Sequence, residues 1–139
     1  MPLAPGQTAE VQRVVTRDLT ADVLGNPGVT VLATPFVLTL LENAAHAVVA
    51  PHLPPGAATV GTAVDMKHLA ATPLGMTVRA KAVLLETDGR RCLFDVEAWD
   101  EVEKIAEGRH ERYVVADLAR FLARASAKSR APGSPDGRP

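Results

Sequence analysis

Apolar residues recur at two different periods along this chain of 139 residues, and the changeover divides it into a helical part and a sheet-forming part. Residues 35–50 contain no glycine, and Leu38, Leu41, Ala45 and Val48 fall at helical spacing. The segment is apolar on most sides, which predicts a buried helix. Thr34-Pro35 reads as an N-cap followed by proline at the first helical position, and Pro51 with Pro54-Pro55-Gly56 ends the helix. Beyond that point the period is two. Residues 59–68, rich in Thr, Val and Ala, predict a strand. Residues 76–86 set Met76, Val78, Ala80, Ala82 and Leu84 against Thr77, Arg79 and Lys81. Asp88-Gly89 is a hairpin signal, residues 90–100 form the return strand, and residues 104–115 a last strand.

The flanks are shorter. Residues 8–15, with Val11, Val14 and Val15, read as an edge strand, and Gly25-Asn26-Pro27-Gly28 as a loop. Residues 117–127, with Leu118, Phe121 and Leu122, read as a short helix. Residues 126–139 are rich in Ser, Pro, Gly and Arg and are expected to be a disordered tail after a single domain spanning 1–125. The order is therefore strand, loop, long apolar helix, then four antiparallel strands. Such a helix needs wrapping, and an antiparallel sheet curled around it, an α+β arrangement, provides that. The sheet would keep two free edges, so pairing between copies is expected.

Bulk properties narrow the classes. A formal net charge of −1 offers no global field for nucleic acid, and 4% aromatic residues weaken a base-stacking role. Cys92 is the only cysteine, which rules out an internal disulfide or a CxxC metal site. No secretion signal is visible at the N-terminus, and the apolar run at 29–41 is too short to span a bilayer. The expectation is a soluble cytoplasmic protein without a membrane partner.

Three polar residues stand out within apolar stretches: Thr34, Glu42 and His68. A hydroxyl, a carboxylate and an imidazole are the groups that attack and break acyl bonds. Glu42, inside the most apolar segment, must be paired, hydrogen-bonded or working, and a Glu42–His46 pair on one helical face is the plain structural alternative. Thr34 as a simple cap and His68 as a satisfied structural histidine are the corresponding alternatives. His46, His52 and His110 read as ordinary. Arg112 suits a substrate contact or a pair with Glu111 or another acid equally well. Lys67, Arg79, Lys81, Arg90 and Arg91 read as solvated, with some available to phosphates. No HExxH, GxxxxGK[ST] or GxGxxG pattern supports a metal or nucleotide enzyme.

Ala33-Thr34, Glu42 eight positions later, Gly61-Thr62-Ala63, His68 in His-x-Ala-Ala-Thr-Pro-x-Gly, and Gly108-x-His110-Glu111-Arg112 occur in a fixed order. In these residues the chain resembles the hot-dog-fold acyl-CoA thioesterases of the fluoroacetyl-CoA thioesterase-like branch. The resemblance implies a homodimer or higher homo-oligomer, a small acyl-CoA substrate, and no cofactor beyond the coenzyme A of the substrate. It also implies Thr34, Glu42 and His68 as the catalytic set, with Gly61 and Arg112 bordering the acyl pocket. Residues 26–32 lack the aromatics that the fluoroacetyl branch carries before its threonine, which points away from fluoroacetyl-CoA in particular. A hot-dog enoyl-CoA hydratase and a non-catalytic acyl-CoA-binding protein are the competing readings. Eight residues of helix rise about 12 Å, so Thr34 and Glu42 on one helix do not touch. Either Thr34 sits off the axis in a bent entry, or the site combines Thr34 of one subunit with Glu42 of another; the second is preferred.

Overall fold

The computed structural model describes residues 2–130. Five antiparallel strands form one sheet in the order β1-β3-β4-β5-β2. The strands are β1 (Thr8–Val14), β2 (Ala58–His68), β3 (Thr77–Thr87), β4 (Arg91–Trp99) and β5 (Lys104–Val115). The long helix α1 (Thr34–Val49) lies across the concave face, packing mainly on β1, β3 and β4. The expected edge strand and the four strands after the helix are all present.

Period-two alternation drives the sheet. Val78, Ala80, Ala82 and Leu84 of β3 and Cys92, Phe94, Val96 and Ala98 of β4 are fully buried, while the residues between them are partly exposed. Val37, Leu40, Leu41, Ala44, Ala45, Val48 and Val49 of α1 complete this core. The β3–β4 hairpin turns where expected, with Gly89 at φ 91°.

Two expectations about α1 need correction. Thr34 is not the N-cap: Ala33 holds that position in an extended conformation, with its N–H bonded to Leu19 O at 2.9 Å, and no side chain caps the helix. The Thr34 hydroxyl is engaged elsewhere, and Pro35 stands second in the helix. Nor is α1 buried all round. Pro35, Thr39, Asn43, His46 and Ala50 form an exposed stripe, because the sheet covers only one side of the helix.

The second helix, α2 (Leu118–Ala127), starts at the cap Asp117 and carries no buried residue. It is followed by a 3₁₀ turn at Lys128–Arg130, so residues 126–130 of the expected tail are helical and the remainder lies outside the described residues. No described helix is long and apolar enough to cross a membrane.

Candidate functional site

The sequence-predicted residues fall into two groups at different places on the sheet. The first lies where α1 begins and β2 ends. Thr34 Oγ1 and His68 Nδ1 are 2.7 Å apart. Residues 31–33 enter the helix pinned by backbone bonds, Leu32 N–H to Thr72 O at 2.9 Å and Ala33 N–H to Leu19 O at 2.9 Å. These fix the hydroxyl at the positive end of the helix, beside the last residue of β2. Burial lowers the pKa of His68 below its ordinary 6.5, with the Ala70 backbone partly opposing. The imidazole is therefore neutral near pH 7 and able to accept a proton. Its Nε2 is enclosed and has no hydrogen-bond partner.

The second group surrounds Glu42, two turns further along α1. Arg112 Nη1 donates to Glu42 Oε2 at 3.3 Å and to His110 Nε2 at 3.1 Å. Arg112 Nε donates to the Thr59 hydroxyl at 2.5 Å, and Nη2 to Thr59 O at 3.1 Å. The guanidinium is buried and held on three sides, while the Glu42 side chain keeps 35% exposure. The Glu42–His46 pair is not what organises the carboxylate: a half-buried carboxylate beside a fixed guanidinium gains more than one facing a solvated imidazole. Arg112 was expected either to contact substrate or to pair with Glu111 or another surface acid; it pairs with an acid, but with the half-buried Glu42 rather than Glu111. Glu111 points to the other face of β5, to Arg91 Nε at 2.5 Å and the Thr62 hydroxyl at 2.7 Å.

His110 joins the Glu42–Arg112 cluster, although the sequence reading left it among the ordinary histidines. It is fully buried, and its Nδ1 bonds Ala63 O at 2.9 Å, which makes Nδ1 the donor and leaves Nε2 to accept from Arg112. Burial is the main cause lowering its pKa, with Arg112 adding to that and the Ala63 backbone and Glu42 opposing. A signal was present: in a strand, Gly108, His110 and Arg112 share one face, and that face is the one turned toward α1.

Two glycines make room. A Cβ on Gly61 would collide with Glu42 Oε2 and stand 3.1 Å from His110 Cε1. Residue 61 thus has to be Gly for the carboxylate to lie against β2. A Cβ on Gly108 would strike the Asp65 backbone, so this glycine lets β5 and β2 close up. Between Gly61 and Ala63 the β2–β5 register slips by one residue, a bulge that leaves Thr62 without a partner across the ladder.

Thr34 and Glu42 belong to one continuous α-helix, about 12 Å apart along its axis. The bent entry that would have brought them together is absent. Gly61 and His68 are likewise about 23 Å apart along β2. The two groups are therefore separate clusters within one chain. Among the described residues, no three His, Cys, Asp or Glu side chains gather as they would around a metal ion.

Comparison with known proteins gives a consistent result. The profile of FlK, the fluoroacetyl-CoA-specific thioesterase, matches residues 15–117. The fluoroacetyl-CoA thioesterase of Streptantibioticus cattleyicolor is 43% identical over 99 residues, covering 71% of this chain and 70% of that protein. The solved structure of the fluoroacetyl-CoA thioesterase FlK superposes with a TM-score of 0.84 at 35% identity, over 95% of this chain and 100% of that one. A threonine variant of FlK in complex with acetyl-CoA superposes with a TM-score of 0.83 at 36% identity, over 90% of this chain and 98% of that one.

Proposed function

The chain belongs to the fluoroacetyl-CoA-specific thioesterase family, and from that premise we propose that it is an acyl-CoA thioesterase. It hydrolyses the thioester of a small acyl-CoA to the free acid and coenzyme A. The observation that carries the reading is the contact between the Thr34 hydroxyl and a His68 kept neutral by burial, at a helix N-terminus. Coenzyme A enters as part of the substrate, and the reaction calls for no other cofactor. The small residues Ala33, Val64, Ala70 and Ala71 favour a small acyl group, and nothing in residues 26–32 favours fluoroacetyl over others.

The working unit in this reading is a homodimer. β2 is a sheet edge whose middle, Gly61 to Ala63, is exposed. Antiparallel pairing of two β2 strands about a two-fold near Val64, next to that stretch, sets His68 of one copy beside residues 59–61 of the other. This brings the Thr34–His68 half-site of one subunit to the Glu42–Arg112 half-site of its partner. Glu42, held through Oε2, then offers Oε1 to draw a proton from water or to attack the thioester carbonyl. His68 and Thr34 handle the proton, and N–H groups at the start of α1 stabilise the oxyanion. Water supplies the hydroxyl of the acid, and the sulfur leaves with the proton as the free thiol. Cytoplasmic placement fits the buried free thiol of Cys92.

Free-thiol release from a panel of acyl-CoA esters, with wild type beside Glu42→Ala, tests the activity. Release from one ester class, lost in the variant, is the expected result. No release from any ester by folded protein refutes it, and water addition to crotonyl-CoA would transfer the assignment to a hydratase. The composite site has its own test. Thr34→Ala and Glu42→Ala homodimers are each inactive, but random re-association makes about half the dimers mixed, each with one intact site of two. The mixture should recover about a quarter of wild-type activity; none in demonstrated heterodimers excludes a shared site.

A further inference from the structure

Between β2 and β3 the chain makes an open connection, and within residues 69–75 only Thr72 is buried. Leu69 and Leu74, the large apolar residues of this segment, are exposed. The anchor of the connection is thus a threonine with 0% exposure, whose hydroxyl has to find a partner. The partner is Asp100 Oδ2, which accepts from Thr72 Oγ1 at 2.9 Å. Asp100 is itself held by the turn between β4 and β5. Its Oδ1 accepts from Val102 N–H at 2.8 Å and from Glu103 N–H at 2.9 Å. Burial raises the pKa of Asp100, but the bonds from Val102, Glu103 and Thr72 outweigh that and leave it below its ordinary 3.8. The acceptor is therefore a fixed, charged carboxylate. In the same turn, Glu101 Oε2 accepts from Thr77 N–H at 2.8 Å, which secures the first residue of β3.

The backbone around Thr72 leads to the other side of the joint. Thr72 O accepts from Leu32 N–H at 2.9 Å, two residues before Thr34, and Pro73 forms a β-bridge with Val31. Leu69, next to His68, donates to Ile105 O of β5 at 2.7 Å. Thr34 and His68 lie 34 residues apart in sequence, so their contact is only as fixed as the joint between their two segments. An apolar anchor would set the depth of that joint. A hydrogen bond to a carboxylate held on both oxygens also sets its direction.

We propose that Thr72 and Asp100 are positioning residues: their bond locks the start of α1 and the end of β2 to the β4–β5 turn, and so fixes the Thr34 hydroxyl against His68. This rests on the thioesterase reading above. Neither side chain is hydrogen-bonded to the pair itself, so they act on its geometry and not on its chemistry.

Three variants test this beside wild type. Thr72→Val keeps the shape and loses the hydroxyl, Thr72→Ser keeps the hydroxyl, and Asp100→Asn keeps the acceptor for the turn but replaces the charge by a neutral group. Amide hydrogen exchange measured by NMR reads the joint, and steady-state thioester hydrolysis reads its consequence. In Thr72→Val, exchange at Leu32 N–H should speed up roughly tenfold or more, as expected for loss of one hydrogen bond to a charged group, while the amides of β3 and β4 keep their rates. The kcat should fall about 10–100-fold through misplacement of the pair, with KM within about twofold. Thr72→Ser should restore both readings, and Asp100→Asn should fall between. Unchanged exchange at Leu32 overturns the joint. Faster exchange throughout β3 and β4 makes Thr72 a plain stability residue, and faster exchange at Leu32 with kcat intact removes the positioning role. Exchange reads the joint even where wild type turns over no thioester, so failure of the activity reading remains distinguishable.

Discussion

Replacing Arg112 by methionine tests the architecture around Glu42 most directly. Methionine matches the length of the apolar stem but removes all four hydrogen bonds, to the Thr59 hydroxyl, Thr59 O, His110 Nε2 and Glu42 Oε2. The Thr59 hydroxyl can turn to another partner. Thr59 O and His110 Nε2 cannot, and each unsatisfied buried acceptor costs about 1–3 kcal/mol. Glu42 regains water on its exposed third, so the loss of its ion pair adds under about 1 kcal/mol. The sum is about 2–7 kcal/mol, or a fall in Tm of about 7–24 °C for a domain of this size. Arg112→Lys should fall between wild type and methionine, because one ammonium group cannot reach four acceptors spread over three residues. Urea denaturation of the three proteins measures this, and thiol release measures the consequence for Glu42. A methionine variant within 1 kcal/mol of wild type would mean that the buried guanidinium is not holding the cluster together, and the positioning argument for Glu42 would fall with it.

Gly61→Ala should leave the sheet folded but displace the Glu42 carboxylate; since a shift of about 1 Å can cost roughly 100-fold in rate, kcat should fall by about that factor while urea stability changes little. Normal turnover would show that Glu42 need not lie against β2. The acid limb of kcat/KM should lie below pH 6.5, because burial lowers the pKa of His68 and its neutral form is the proton acceptor. A limb at or above 6.5 contradicts that. Stability should follow the same side of the scale. His46, His68 and His110 all have lowered values, so the unfolded chain takes up protons first as pH drops below 6.5, and Tm falls through that window until the folded histidines also protonate. His110→Gln should flatten part of this slope.

Much of the fold could be read from periodicity. The period-two run from residue 76 onward places β3, β4 and β5 to within a residue or two, because the inward positions of β3 and β4 are apolar without interruption and β5 keeps the same alternation. The glycine-free stretch after Pro35 marks α1 equally well. The start of α1 was misjudged because cap preference is a local rule, whereas Ala33 is pinned by Leu19 and the Thr34 hydroxyl by His68, contacts of long sequence separation. The exposed stripe of α1 was hidden for a related reason: Pro35, Thr39 and Ala50 dilute its two more polar members, Asn43 and His46, so it does not read as a solvent face. His110 was passed over because a single histidine in a strand carries no label of its own. Its role comes from the β2 bulge that turns Ala63 O toward it, and a bulge leaves little trace in sequence.

The far side of the sheet has a bearing on how many copies can assemble. A five-stranded sheet has two ends, and a chain that paired at both would grow without limit. At the β1 end the strand is short, is preceded by Pro2 and Pro5, and carries Glu10, Gln12 and Arg13 on exposed or half-exposed positions, with Glu10 tied back to Arg79 at 3.0 Å. Charge and proline are the means by which sheet edges are kept from recruiting another strand. The β2 end has a bulge but neither proline nor a dense charge row in its middle, Gly61-Thr62-Ala63-Val64. This asymmetry suits the proposed homodimer: two sheets joined at β2 would stop there, and growth would end in a closed pair rather than a filament.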